Sequence, residues 1–306
     1  MERKTSIDAA GAVMLVGFAI VLAFNQVVVK LGNTGFQPVF MAGIRSAGGV
    51  IILTIWMIAR GVPIRFPRVY TASGLLLGLL FAFEFICLFW ALDHTTVARA
   101  SILFYSMPVI LSLSAHFLLP GERLTPMRGL GLGLALAGVA LVLADRNGGQ
   151  ASLLGDLAAL AGACGWAGIA LTVRLTRVSE QVPEMQLWWQ LSVSAVILLA
   201  LAPFFGPLTR DPGFWHFAGL SFQIVVVAGF GFLFWLFLLK IYPASGVASF
   251  SFLSPVISVL LGWLLLGEQI GPQVFGALLL VAVGIVLINR RGGKARHRQA
   301  EQAGPV

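Results

Sequence analysis

Ten runs of about twenty apolar residues, each closed off by glycine, proline or charge, fill almost the whole of this chain. They fall at approximately 9–30, 38–59, 71–92, 97–119, 127–144, 153–175, 185–205, 217–239, 245–266 and 272–289. A helix of about 20 residues crosses the hydrocarbon core of a bilayer with every backbone hydrogen bond made internally. The runs therefore predict an all-α membrane protein with ten transmembrane helices. Spans of about 21 residues leave roughly 96 of the 306 residues for connections and tails. That remainder is too little for a separate catalytic domain. No GxxxxGK[ST] phosphate loop occurs, which excludes an ATP-driven pump of that class. The first apolar run is too long for a signal peptide and lacks a small-residue cleavage site, so it reads as a retained helix.

The formal net charge of +8 would suggest nucleic acid if it lay in one stripe, but the basic residues are scattered over short loops and the C-terminus. Membrane topology explains them better, because cytoplasmic loops carry the excess of Lys and Arg. With the N-terminus in the cytoplasm, Lys30, Arg99, Arg146 and Arg210 fall outside, Arg45 stays in the membrane, and the rest of the 20 basic side chains lie inside. This predicts a multi-pass protein of a bacterial inner membrane with both termini cytoplasmic. The tail 290–306 then reads as a topology anchor near anionic lipid, with a regulatory or partner-binding role as the alternative. Cys87 and Cys164 lie in apolar runs and are expected as buried small hydrophobes instead of a disulfide.

The two halves of the chain repeat each other. Tyr105-Ser106-Met107-Pro108-Val109-Ile110 parallels Phe252-Leu253-Ser254-Pro255-Val256-Ile257, followed in register by Gly121-Glu122 and Gly267-Glu268, Pro126 and Pro272, and Gly138 and Gly284. Five helices per half is an odd number, so the second copy enters the membrane from the opposite side. The expected architecture is two inverted five-helix repeats, 1–144 and 145–289, followed by the basic cytoplasmic tail. Inverted repeats are a common construction of alternating-access carriers.

The segment Gly74 to Leu80, the run Leu88-Phe89-Trp90-Ala91-Leu92, Arg45, and the two copies of Pro-Val-Ile with Gly-Glu and a Gly-rich helix together resemble one family. It is that of the ten-helix EamA-type carriers of the drug/metabolite transporter superfamily. Glu84 to Leu88, Tyr105 ahead of Pro108, and Gly165-Trp166-Ala167 further resemble stretches of bacterial exporters of aromatic and other amino acids. The resemblance implies a secondary transporter exporting amino acids or related small metabolites. A carrier of another metabolite or hydrophobic cation, a channel and a membrane enzyme are the alternatives. An intramembrane enzyme would need a cluster of nucleophile, base or metal ligands, and the four His show no metal spacing. No cofactor is implied. The expected partners are a small-molecule substrate and the bilayer, with no nucleic acid, in a monomer or homodimer.

Charge at mid-bilayer costs about 2.5 to 3.5 kcal/mol on insertion scales, so an ionisable group there faces a cavity or a partner. Glu84 is the candidate that meets a substrate ammonium or carries a proton; pairing with Arg45 is the alternative, and Arg45 itself reads as structural or gating. Tyr105 and Trp166 are candidates to line the site, the latter beside Gly162, Gly165 and Gly168. Phe83 and Met107 join them by resemblance and adjacency. Asn25, Gln26 and Gln190 need hydrogen-bond partners at membrane depth; Asn25 and Gln190 are carried as substrate contacts. Pro108 and Pro255 remove equivalent helical hydrogen bonds and mark hinges or static kinks. Gly129, Gly133 and Ala137 are expected to form a close-packing stripe, within the monomer or at a dimer contact, Trp188, Trp189 and Trp215 interfacial anchors, and Glu122 and Glu268 caps or gate contacts. His116 reads as a satisfied interfacial histidine or a proton relay.

Overall fold

The computed structural model describes residue 4 and residues 7–119, 124–145, 152–242, 250 and 253–289. Glu122, Arg146, the start of the ninth expected span and the tail from Arg290 lie outside the described residues. The described chain is helical, with one isolated bridge between Phe36 and Thr209. In order come α1 (Ala9–Gly32), α2 (Pro38–Ala59), α3 (Arg68–His94), α4 (Val97–Phe104), α5 (Met107–Leu118), α6 (Pro126–Ala144), α7 (Leu153–Leu175) and α8 (Pro183–Leu201). They are followed by α9 (Phe214–Phe222), a π-helical segment (Gln223–Gly231), α10 (Phe232–Ile241), α11 (Leu253–Leu266) and α12 (Pro272–Asn289). Eight stretches are long and apolar enough to cross a membrane, and Leu253–Leu266 and Pro272–Ile288 are shorter apolar helices.

Local chemistry sets the helix starts. Asp8 accepts from the N–H of Gly11, Thr96 from Arg99, Thr125 from Arg128 and Ser152 from Gly155, each satisfying a donor that the first turn leaves free. Proline stands in the first turn of α2, α6 and α8, where its missing N–H removes no helical bond.

Two expected spans are not continuous α-helices. The fourth breaks into α4 and α5, because Pro108 has no N–H to donate to Phe104, and α4 ends there. Ser106 turns the chain with its hydroxyl donating to Leu103 O at 2.6 Å. The eighth contains the π segment, which no proline announces. Pro255 lies in the first turn of α11, and residues 251 and 252 just before that helix are outside the described set.

Equivalent spans of the two halves make equivalent contacts, as inverted repeats do. Counted as spans, the second packs on the seventh and the fifth on the tenth; third on seventh is matched by second on eighth, and fourth on sixth by first on ninth. The α6–α12 contact is reciprocal at backbone level. A Cβ on Gly131 would stand 2.7 Å from Gly284 O, and one on Gly284 would stand 2.6 Å from Gly131 O. Only glycine permits that approach.

Within the chain the packing face of α6 is therefore Gly131, Ala135 and Gly138, and the stripe Gly129, Gly133 and Ala137 does not pack inside the monomer. Gly129 and Gly133 have no neighbour within 4 Å, and Ala137 is exposed. In a helix this rich in small residues both faces carry the same spacing, so spacing does not choose between them. Trp188 and Trp189 also depart from expectation. Trp189 is buried against Gly74 and donates to Gln181, and Trp188 donates to Thr54 at 3.0 Å. Their indoles lock helices together, whereas Trp215 is 82 % exposed. Cys87 is half-buried and Cys164 exposed, both free, since the outward face of an apolar helix accepts a thiol as readily as a core does. Large apolar side chains such as Phe117 (76 %) and Phe204 (84 %) point outward, a surface suited to lipid and a liability in water.

Candidate functional site

The buried polar groups fall into two sets. At one end of the bundle the buried charges among the described residues are paired. Arg99 on α4 donates to both carboxylate oxygens of Asp156 on α7, at 2.6 Å from Nη2, and to Val142 O at 2.6 Å. Its Nη1 stands 3.5 Å from Asp145, and Thr95 donates to Asp156 at 2.9 Å. Glu268 accepts from the N–H groups of Val97 and Ala98 at 2.6 and 3.0 Å, so a carboxylate of the second repeat caps a helix of the first. Gly262 leaves room for it: a Cβ there would lie 2.6 Å from Glu268 Oε2. Lys30 donates to Leu92 O and Thr95 O, and Arg210 to Asp93 and Asn33 O. Lys30, Arg99 and Arg210 thus share one end, whereas Lys4, Arg177 and Lys240 pair with Asp8, Glu180 and Glu184 at the other.

Mid-bundle, the polar atoms lack such partners. Arg45 on α2 is 2 % exposed, and its guanidinium carbon lies over the Phe85 ring at 4.3 Å, with Phe232 at 5.6 Å and Phe89 at 5.9 Å. Its Nε and Nη1 have no hydrogen-bond partner, and among the described residues no carboxylate oxygen stands within 4.0 Å of its nitrogens. Glu84, one residue before Phe85 on α3, is 5 % exposed with Oε2 unpartnered. The two ionisable groups do not form the direct ion pair that stood as one sequence reading. Gly162 and Gly165 on α7 admit the Glu84 backbone; a Cβ on Gly165 would sit 3.2 Å from Glu84 Cβ.

An aromatic wall adjoins Glu84. Trp166 on α7 stacks on Phe104 at 5.2 Å, and Tyr105 meets both edge-on at 5.8 and 5.7 Å. The break after Phe104 lets these neighbours present crossed rings. The Tyr105 hydroxyl is within reach of Gln26 and Ser254, which joins α1, α4 and α11. Met107 and Pro108 open α5 just beyond, both half-buried. Asn25 Oδ1, Gln26 Oε1, Gln223 Oε1, Ser46 Oγ and Ser258 Oγ are also buried without partners. The structure thus places Glu84, Tyr105 and Trp166 around α3, α4 and α7, with Arg45 across Phe85. Phe83 is 45 % exposed, its ring against Gly165. Gln190 is half-buried and donates to Gln186 O of its own helix at 3.2 Å. His116 accepts from the N–H of Leu124 at 3.2 Å.

Two stretches, residues 9–144 and 153–290, match the model of the EamA-like transporter family. The chain belongs to that family. As an EamA-like protein it is a membrane-embedded secondary transporter of small metabolites, and its fold and family are those of a transporter and not of an enzyme. Among the described residues no group of three or more His, Cys, Asp or Glu is placed to hold a metal. The EamA-like chain is 29 % identical to the aromatic amino acid exporter YddG of Ancylobacter novellus, over 81 % of this chain and 86 % of that protein. It is 29 % identical to a probable amino-acid metabolite efflux pump of Escherichia coli, over 92 % and 93 %. It is 23 % identical to the uncharacterized transporter YoaV of Bacillus subtilis, over 89 % and 94 %. A solved crystal structure matches it with a TM-score of 0.64 and 25 % identity, covering 95 % of this chain and 99 % of its own.

Sequence reasoning passed over Gln223, Ser46, Ser254 and Ser258, and the rings Phe85, Phe89 and Phe232 that hold Arg45. Gln223 was findable, because it breaks an apolar run as Gln190 does. The three rings were not, since 23 phenylalanines occur in the chain and nothing in their spacing selects three.

Proposed function

We propose that this transporter exports amino acids, aromatic and other neutral ones, or related small metabolites across a bacterial inner membrane by alternating access. The observation that carries the reading is the buried set of unpartnered polar atoms, Glu84 Oε2, Gln26 Oε1 and Asn25 Oδ1 among them, in a bundle whose end holds its buried arginine against two carboxylates. Buried polar groups without partners are rare, and they mark places where water or a ligand completes the bonding. Glu84 receives the cargo's ammonium, the Tyr105 and Trp166 rings cover its apolar part, and Met107, Phe83, Asn25 and Gln190 border the path. Pro108 and Pro255 are the hinges at which residues 1–144 and 145–289 rock. Relatives named for aromatic amino acid export and for amino-acid metabolite efflux support the cargo class. Placing the Arg99 end outside puts both termini in the cytoplasm, in keeping with the basic loops.

Exchange in proteoliposomes tests the reading: load unlabelled amino acids one at a time, supply labelled aromatic and aliphatic ones outside, and compare wild type with Glu84→Gln. Saturable exchange that collapses in a folded variant supports it. Exchange unchanged by the substitution removes Glu84 from the site, and absence of exchange with every amino acid overturns the cargo class.

A further inference from the structure

We propose that Arg45 binds a carboxylate of the cargo, so that a free carboxylate is what this carrier requires of its substrate. The inference rests on the reading of the central polar groups as the cargo's path, and adds the group that the cargo must carry. Arg45 is 2 % exposed in the second span, where an unbalanced charge is expensive. Three phenylalanines from α3 and α10 hold the guanidinium, Phe85 by its face at 4.3 Å. Phenylalanine rings attract the cation but offer it no oxygen or nitrogen acceptor, so its N–H donors stay available to a ligand. Two of its three nitrogens, Nε and Nη1, have no partner there.

This vacancy is not a general habit of the fold. Arg99, equally buried, is given Asp156, Asp145 and a backbone carbonyl. Glu84 is the acid whose charge acts on Arg45, yet it forms no ion pair with it within 4.0 Å and keeps an unpartnered oxygen of its own. A base and an acid that feel each other's charge without making an ion-pair contact match a zwitterion, with the carboxylate on Arg45 and the ammonium on Glu84. A single guanidinium balances a monoanion. The other described cations with known partners, Lys30, Arg99 and Arg210 among them, are held at the ends of the bundle, which disfavours a phosphate dianion.

Ligand binding to the purified full-length carrier tests this, read as the shift in melting temperature and as displacement of labelled L-phenylalanine where that binds. Four ligands separate the groups: L-phenylalanine, L-phenylalaninamide, 3-phenylpropionate and phenethylamine. Aliphatic carboxylates with their amides extend the set. The expected result is binding by the acids and a loss of about 100-fold on amidation, since a site built to bond one group rejects analogues lacking it. In Arg45→Gln the preference for acid over amide disappears, while Arg45→Lys keeps part of it. The comparison of acids with amides in wild type needs no variant and stands if Arg45→Gln fails to fold. Should simple carboxylates bind in an Arg45-dependent way while no amino acid does, the amino-acid reading fails and this proposal stands. Equal binding of amides and acids, an acid preference that survives in folded Arg45→Gln, or no binding by any carboxylate overturns it.

Discussion

Arg99 and Arg45 are equally buried, each 2 % exposed, but only Arg99 has carboxylates in contact with it. At the end of the bundle Arg99 meets Asp156, Asp145 and Val142 O, and Thr95 fills a further position on Asp156. In the middle Arg45 meets phenylalanine faces, and Glu84 next to it on α3 keeps a bare oxygen. A buried charge with all its bonds made is a fixed structural part, and removing one partner strands the other. A buried charge without them is held ready for something that comes and goes. The fold therefore separates the polar groups that close the bundle from those that serve its cargo.

The largest expected effect tests that separation directly. Asp156→Ala leaves the Arg99 guanidinium buried beside Asp145 alone, and breaking a buried pair in this way destabilises by about 3 to 5 kcal/mol. Glu84→Gln removes a carboxylate that makes no hydrogen bond or ion-pair contact, only a longer-range attraction to Arg45, so its stability stays within about 1 kcal/mol of wild type. Thermal melting of the two solubilised variants beside wild type checks this. Equal losses at both positions would erase the distinction and make Glu84 a structural group. Transport should move in the opposite order, falling most in Glu84→Gln per unit of stability lost.

Glu268 gives the next effect. It takes two backbone N–H groups of α4 from across the repeat boundary. Glu268→Ala leaves both donors without a partner at a buried helix start and costs about 1 to 3 kcal/mol. Glu268→Gln, which keeps an oxygen, loses less than half of that. Melting curves of the pair check the ordering, and a Gln variant as damaged as the Ala one would show that charge, more than the acceptor, holds α4.

The outline of this molecule was written in its hydropathy. Ten apolar runs and the two Pro…Gly-Glu copies predict helices whose bounds mostly fall within a few residues of those found, because a bilayer leaves the backbone no other way to bond itself. Glu84, Arg45, Tyr105 and Trp166 were also singled out in advance, each because its chemistry is out of place in an apolar run. What escaped were relations across the bundle. No pattern along α6 says that Gly131 and Gly284, more than Gly129 and Gly133, bring backbones together. Nothing along α3 says that Phe85 and Phe89 face Arg45 while Phe83 turns out by 45 %. In a helix that is apolar all round, the polarity contrast that reveals a buried face in soluble proteins is missing.

The smallest effect lies at the end opposite Arg99. There Asp8 caps α1 through the Gly11 N–H and also accepts from Lys4 and from the Tyr242 hydroxyl, the last at 2.8 Å. The Lys4 ammonium first, then the Gly11 N–H and Tyr242, hold the Asp8 carboxyl well below the usual carboxylate range. A carboxylate lowered by folding adds stability above its unfolded pKa, about 3.9, and loses it as pH falls from there through the folded value. Asp8 is exposed to water, so the effect is slight in absolute terms and is read as a difference. Wild type should melt slightly above Asp8→Asn from neutral pH to about pH 5, and the gap should narrow once the pH drops below about 4. A gap that stayed constant to pH 2 would show that hydrogen-bond geometry, not charge, ties the start of α1 to Tyr242. A gap that closed near pH 6 would point to some other group. Asp8 at this exposed end, like Asp156 at the Arg99 end, is a carboxylate fixed by its neighbours, and the contrast with Glu84 extends to both ends of the bundle.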